Sequence, residues 1–297
     1  MLKILTATLL LTSAMTAQTT GKAHTPDVDL AYLTYGKPTS AIPVIAVNGG
    51  PGLSHVYMVQ NDLWQRVAKD RLVVLYDQRG TGASRPLAAG ASQSMDTQVA
   101  DLEAIRAALH LDKVALVGDS YGGFLSMAYA AAHPEHVAKL ILSDSPSAAM
   151  KDMVHVLPQV FPDIQEEAAA EERKLAPEAA AQLGIRNHFR MIFYSPELRD
   201  QYLAGAPDLG FVPAVATAVS RSSRAQDYTP KLAGFTSFPT LVLTGRYDMN
   251  VAPLTAWHLA HQIPGAKLVI FEKSGHLPAY EEPDRYLEVL ESFLNQP

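Results

Sequence analysis

The strongest constraint on how this chain can fold is an alternation between two hydrophobic periods. Short, almost unbroken apolar runs stand at residues 28–34, 42–47, 72–76, 114–117, 140–142, 240–243 and 267–271. Such runs suit strands covered on both faces, because a strand with one wet face alternates apolar and polar side chains. Between them lie stretches with apolar residues three and four apart. Val99, Leu102, Ile105 and Leu109 share one helical face, and Tyr286, Leu287, Leu290, Phe293 and Leu294 share another. Strand and helix repeating in turn predict an α/β fold with a mostly parallel central sheet flanked by helices. From 147 to 236 the rhythm stops, and helix formers concentrate at 166–174 and 178–182. This stretch is expected to be a helical cap inserted between two core segments, 24–146 and 237–297.

Composition narrows the function classes. The formal net charge of −6 gives no basic footprint, so nucleic acid is not an expected partner. Cysteine is absent, which removes disulfides, thiolate nucleophiles and cysteine-based zinc or iron–sulfur centres. At the N-terminus, Lys3 precedes an apolar run over 4–17 with small residues at Ser13, Ala14 and Ala17, followed by a polar segment over 18–22. That is the pattern of a secretory signal peptide, and the run is short for a bilayer span. Residues 1–23 are therefore expected to be a leader, and the protein to be periplasmic or secreted with no stable membrane anchor.

The chemistry is carried by three segments, each placed just after an apolar run. Gly118-Asp119-Ser120-Tyr121-Gly122 follows the run at 114–117 and opens a helical stretch of small residues over 121–132. This resembles the nucleophile elbow of α/β-hydrolases, whose tight turn needs glycine on either side and lifts the serine hydroxyl into a cleft. A serine hydroxyl is a weak nucleophile and needs a base held by an acid. In that fold both follow the serine, acid first. Asp248 stands just past the run at 240–243, and His276 just past the one at 267–271. All three thus fall at carboxyl ends of strands, where open α/β sheets place their sites. Asp144, after the run at 140–142, is an alternative acid. His258, His261, His133 and His136 sit in or at the ends of helical stretches and suit surface or capping roles. Asn48-Gly49-Gly50-Pro51-Gly52 follows the run at 42–47; the amides of Gly50 and Tyr121 are the expected oxyanion donors.

Together these residues resemble the proline iminopeptidase (prolyl aminopeptidase) branch of the α/β-hydrolases. Residues 48–52 are similar to that family's His-Gly-Gly-Pro-Gly. Asp77-Gln78-Arg79-Gly80-Thr81-Gly82-Ala83-Ser84 is similar to its Asp-Gln-Arg-Gly-x-Gly-x-Ser, and residues 118–122 and 274–282 complete the series. The resemblance covers 28–146 and 237–295. It implies an acyl-enzyme route without metal or cofactor, with a small molecule or short peptide as substrate. The implied reaction is release of an N-terminal residue, often proline. Two departures stand out. Asn48 replaces the family's histidine, and both tryptophans, Trp64 and Trp257, lie outside the cap. The cap acids Glu166, Glu167, Glu171, Glu172 and Glu197 do not align with the family's amine-binding glutamates. Phe189, Phe193 and Tyr194 either line a pocket or pack the cap itself. An esterase or lactonase on small acyl substrates, or a ligand-binding pseudo-hydrolase, would share the same core.

Overall fold

Every residue of the run Val114–Asp119 is buried, and its position explains why. A computed structural model describes residues 18–153 and 156–296; all but the final residues of the expected leader lie outside them. Eight strands form one sheet: β1 (Gln18–His24), β2 (Asp29–Tyr35), β3 (Val44–Val47), β4 (Val73–Tyr76), β5 (Val114–Asp119), β6 (Val137–Ser143), β7 (Thr240–Gly245) and β8 (Lys267–Phe271). Their spatial order is β1-β2-β4-β3-β5-β6-β7-β8. β1 and β2 pair antiparallel, as do β2 and β4, and the rest of the sheet is parallel. The α/β-hydrolase architecture expected from the sequence is the one observed.

The helices are α1 (Leu63–Val67), α2 (Met95–Ala108), α3 (Tyr121–Ala132), α4 (Leu157–Val160), α5 (Pro162–Glu172), α6 (Pro177–Met191), α7 (Pro196–Gly205), α8 (Pro213–Ser223), α9 (Thr229–Leu232), α10 (Pro253–Gln262), α11 (Pro278–Glu281) and α12 (Pro283–Leu294). The two faces of the sheet carry separate cores. Ile45, Val47, Val74, Leu116 and Leu142 pack with Leu102, Ile105 and Phe124 of α2 and α3. Val44, Ala46, Val73, Ala115 and Ile141 pack with Trp64 of α1 and Leu290 and Phe293 of α12. Successive strand residues point to opposite faces, so burial on both sides is what made the runs continuous. None of the helices among the described residues is long and apolar enough to cross a membrane.

Several bounds differ from the sequence reading for local reasons. β3 begins at Val44 because Pro43 has no amide to give the ladder, although its carbonyl accepts from Ala115 N at 2.8 Å. β6 extends back to Val137, past Lys139, which breaks the apolar run. Lys139 is nonetheless buried, and its Nζ donates to the carbonyls of Phe293 and Gln296 at 2.8 and 2.5 Å, tying the end of α12 to the sheet. β1 has no counterpart among the expected strands. Its residues 18–22 belong to the polar end of the expected leader, yet they pair with β2 as an exposed edge.

Between β6 and β7 the described residues form helices α4 to α9 with one isolated bridge, Ala149 to Asp227. This segment rests on the sheet's carboxyl edge through an apolar cluster of Leu53, Tyr57, Phe189, Ile192, Tyr202 and Leu277. Hydrogen bonds join it to the loops below: Tyr202 Oη donates to Tyr57 O at 2.8 Å, and Val212 N to Gly52 O at 2.8 Å.

Candidate active site

Ser120 sits between β5 and α3 with φ +51° and ψ −124°, a backbone conformation that non-glycine residues rarely adopt. Its neighbours make it possible. A methyl group on Gly118 would stand 2.4 Å from Gly122 O, and one on Gly122 would stand 2.0 Å from Val47 O. The turn is fastened by Ser120 N donating to Ser143 O at 2.9 Å on the adjacent strand.

Asp248 and His276 arrive from β7 and β8. Asp248 Oδ1 accepts the amides of Asn250 and Val251 at 2.9 Å each, which fixes the carboxylate and leaves Oδ2 for His276 Nδ1 at 2.7 Å. His276 Nε2 lies 2.9 Å from Ser120 Oγ. Asn250 Nδ2 is 3.0 Å from the same nitrogen. His276 N donates to Ile192 O of the cap segment at 2.7 Å, so the imidazole's loop is anchored from above. The three residues singled out in the sequence are therefore joined in one hydrogen-bonded chain.

The alternative acid, Asp144, is buried beside this chain without entering it. Its Oδ1 accepts Gly245 N at 2.9 Å and its Oδ2 meets Ser143 Oγ at 2.9 Å. Carboxylate oxygens of Asp144 and Asp248 and a ring nitrogen of His276 lie within 4.8 Å of one another. Protein donors already face these carboxylates, so the cluster is a relay with a second acid behind it. Burial, reinforced by the Asp248 charge, pushes the pKa of Asp144 well above the usual carboxylate range. His276 feels opposing influences. Burial lowers its pKa, but the facing Asp248 carboxylate outweighs that and raises it from 6.5 to about 9.

The glycine loop after β3 meets the serine directly. A methyl on Gly49 would stand 2.8 Å from Ser120 Cβ. Gly49 N donates to Tyr57 Oη at 2.5 Å, and Tyr57 Oη in turn donates to Asp119 Oδ2 at 2.5 Å. Gly50 and Tyr121 both border the largest cavity that holds Ser120, of about 320 Å³. Tyr121 carries the first amide of α3, one that the helix itself leaves unpaired. The segment 77–84 braces this loop. Gln78 Nε2 donates to Asn48 O at 2.7 Å, Asp77 meets His55 Nδ1 at 2.7 Å, and Arg79 makes a two-pronged contact with Asp101 at 2.6 Å for both arms.

A second, tighter cavity of about 50 Å³ also opens on Ser120 and His276. Phe189 lines it, whereas Phe193 packs on Tyr202 and Tyr280, and Tyr194 stacks on Tyr247 with ring centres 4.6 Å apart. None of Glu166, Glu167, Glu171, Glu172 and Glu197 borders either cavity. Trp64 is buried in the core between the sheet and α12, and Trp257 is exposed and stacked on His261. His258 is exposed, and His136 Nδ1 lies 3.0 Å from Asp112 O in the loop before β5, so it caps no helix there.

Residues that the sequence reading did not single out complete the site. Glu281 is buried, and its Oε1 accepts the amides of Tyr194 and Ser195 at 2.9 and 2.8 Å. Its Oε2 accepts Gly275 N at 2.7 Å, next to His276. Burial raises its pKa from 4.5 to about 7, against the pull of those amides. Tyr57 and Asp119 are the others. The only sequence signal for Asp119 is its place inside the elbow.

A mixed sheet with a strained serine elbow, and an acid and a histidine on the next strand ends, defines a hydrolase of the α/β class. The chain belongs to the alpha/beta hydrolase fold family, whose pattern it matches over residues 42–283. Among curated proteins it is similar to the proline iminopeptidase of Heyndrickxia coagulans, with 33% identity over 90% of this chain and 95% of that one. The proline iminopeptidase of Clostridium botulinum is 31% identical over 86% of this chain and 90% of its own. Among solved structures, an esterase from Rhodococcus sp. ECU1013 superimposes with a TM-score of 0.76, covering 95% of this chain and 99% of that one at 21% identity. That last likeness concerns the fold.

Proposed function

We propose that the chain is a serine hydrolase working through an acyl-enzyme, and that it releases an N-terminal proline or other small residue from peptides. The observation that carries the chemistry is the relay from Asp248 through His276 to Ser120, at 2.7 and 2.9 Å. In this reading His276 Nε2 takes the Ser120 proton as Oγ attacks the substrate carbonyl. The tetrahedral oxyanion rests on the amides of Gly50 and Tyr121. Collapse expels the amine, to which His276 gives the proton. Water then repeats the attack and frees the acid. Asp248 holds the imidazole in the tautomer with its proton on Nδ1 and stabilises the cation that forms. The peptide preference is supported by the curated relatives, which match this chain along most of its length.

A second reading, a carboxylesterase or lactonase, is favoured by one observation: the cap segment brings no carboxylate to either cavity around Ser120. Kinetics on a prolyl anilide beside short-chain aryl esters separate the two, with Ser120→Ala as the control. Amide turnover that vanishes in Ser120→Ala supports the peptidase; ester turnover without amide turnover rejects it. Failure of a fluorophosphonate to label Ser120 would reject both. The sequence further supports export, and cleavage at or before Ala17 would leave β1 whole. N-terminal sequencing of the host's protein that finds Met1 in place would reject export.

A further inference from the structure

Asp119 is the residue the proposed relay does not use. It is 7% exposed, and it borders the tight cavity shared with Ser120 and His276. It also borders a smaller chamber of about 30 Å³ behind it, between Tyr57, Trp64, Tyr202 and Tyr280. Among the described residues its carboxylate takes one hydrogen bond, from Tyr57 Oη to Oδ2 at 2.5 Å, and forms no ion pair. A desolvated carboxylate with a single neutral donor is expensive to keep charged. Burial raises its pKa from 3.8 to about 6. Among the residues lining the two cavities that hold Ser120, it is the sole carboxylate.

We propose that Asp119 is the anionic part of a subsite that receives the protonated amine of a substrate whose N-terminal residue is small and free. The proposal rests on the aminopeptidase reading and deepens it, by placing amine recognition on the elbow. Three features of the pocket fit that ligand. The α-nitrogen of an aminoacyl group stands two bonds from the carbonyl carbon under attack, so its acceptor must adjoin the serine, and Asp119 is the preceding residue. Leu53, Ile185, Phe189 and Ile192 supply an apolar part of the wall, which suits a small ring or short side chain, while His188 and Asn250 also line the cavity. The cavity is small, about 50 Å³ against about 320 Å³ for the other cavity that holds Ser120, as suits a small N-terminal residue.

The experiment compares proline methyl ester with methyl cyclopentanecarboxylate, in which a methylene replaces the charged nitrogen. On the wild-type protein kcat/KM should favour the amine by about 10–100-fold, the scale of a hydrogen bond to a charged group. In Asp119→Asn, which keeps an oxygen for Tyr57, that ratio should collapse toward one. A ratio near one in the wild type, or a ratio unmoved in the variant while both rates fall together, overturns the subsite, since a merely structural Asp119 would act on both substrates alike. Should the variant not fold, competition on the wild type by prolinamide against cyclopentanecarboxamide decides, with equal inhibition overturning the proposal. If the amine ester is preferred but no prolyl anilide is cleaved, the peptidase reading falls and the subsite stands. If the anilide is cleaved and the ester ratio ignores Asp119→Asn, the subsite falls and the reading stands.

Discussion

Glu281 accepts the amide of Gly275 at 2.7 Å, so the carboxylate that steadies the loop of His276 is the same one that holds the turn before α7. Glutamine has one acceptor oxygen where glutamate has two. Glu281→Gln must therefore leave either Gly275 N or the Tyr194 and Ser195 amides unmet. Each orphaned buried amide costs about 1–3 kcal/mol. Thermal unfolding should show a lower Tm, and kcat should fall with KM little changed, because the imidazole is held less firmly. The pH dependence has a defined sign. A carboxyl whose pKa rises on folding, from 4.5 to about 7, binds its proton more tightly in the folded state. Wild-type stability should decline as pH rises through that window, and the variant should lack that slope. A variant with the wild-type slope would refute the assignment.

The two acids beside His276 should differ sharply on mutation. Asp248→Asn removes the charge that fixes the Nδ1–H tautomer, and kcat is expected to fall by about 10⁴-fold. Burial and the Asp248 charge raise the pKa of Asp144, and it makes no hydrogen bond to the imidazole's ring nitrogens. Its conversion to asparagine keeps an acceptor for Gly245 N and should alter kcat by less than about tenfold. Steady-state kinetics of the two variants settle the order. Equal losses would show that both acids share the charge.

The acid limb of the pH profile should lie above 6.5. Attack on the substrate needs a neutral imidazole, and the Asp248 carboxylate raises the pKa of His276 toward about 9. Turnover therefore rises with pH across that limb. Asp248→Asn should move the midpoint down furthest, and Asp144→Asn should move it down by less, since the Asp144 charge also raises the imidazole's pKa. Profiles of kcat/KM for the three proteins test this, and a wild-type midpoint below 6.5 would contradict it.

How much of this was legible depends on what each contact is made of. Ser120 and Asp248 were readable because each follows a fully buried strand, and His276 because it follows the apolar run of the edge strand β8, which is only partly buried. β1 was not, since its residues are polar and its hydrogen bonds come from β2. Tyr57 and Asp119 are 62 residues apart, and only the folded chain pairs them. Glu281 is harder still, because its partners are backbone amides, which leave no trace in residue types. The cap acids did not align with the family's amine-binding glutamates, and none of those named borders either cavity.

Two arginine pairs provide a test of where stability resides. Arg79 and Asp101 have side chains only 3% and 2% exposed. Arg79→Met would strand a buried carboxylate, at a cost of about 3–5 kcal/mol. Arg246 and Glu272 are 44% and 55% exposed, and Arg246→Met should leave stability close to that of the wild type. Denaturant unfolding measures both; a similar loss for each would mean that the segment 77–84 is not braced as described.

The missing side chain at Gly122 sets a limit on how this molecule can vary. With less than a methyl's clearance to Val47 O, β3 and α3 act as a gauge that fixes the gap between the attacking oxygen and the glycine loop. Remodelling the segment above the sheet can change what enters without resetting that gap. Enlarging this single position would reset it at once, so diversity is open in the roof and closed in the floor.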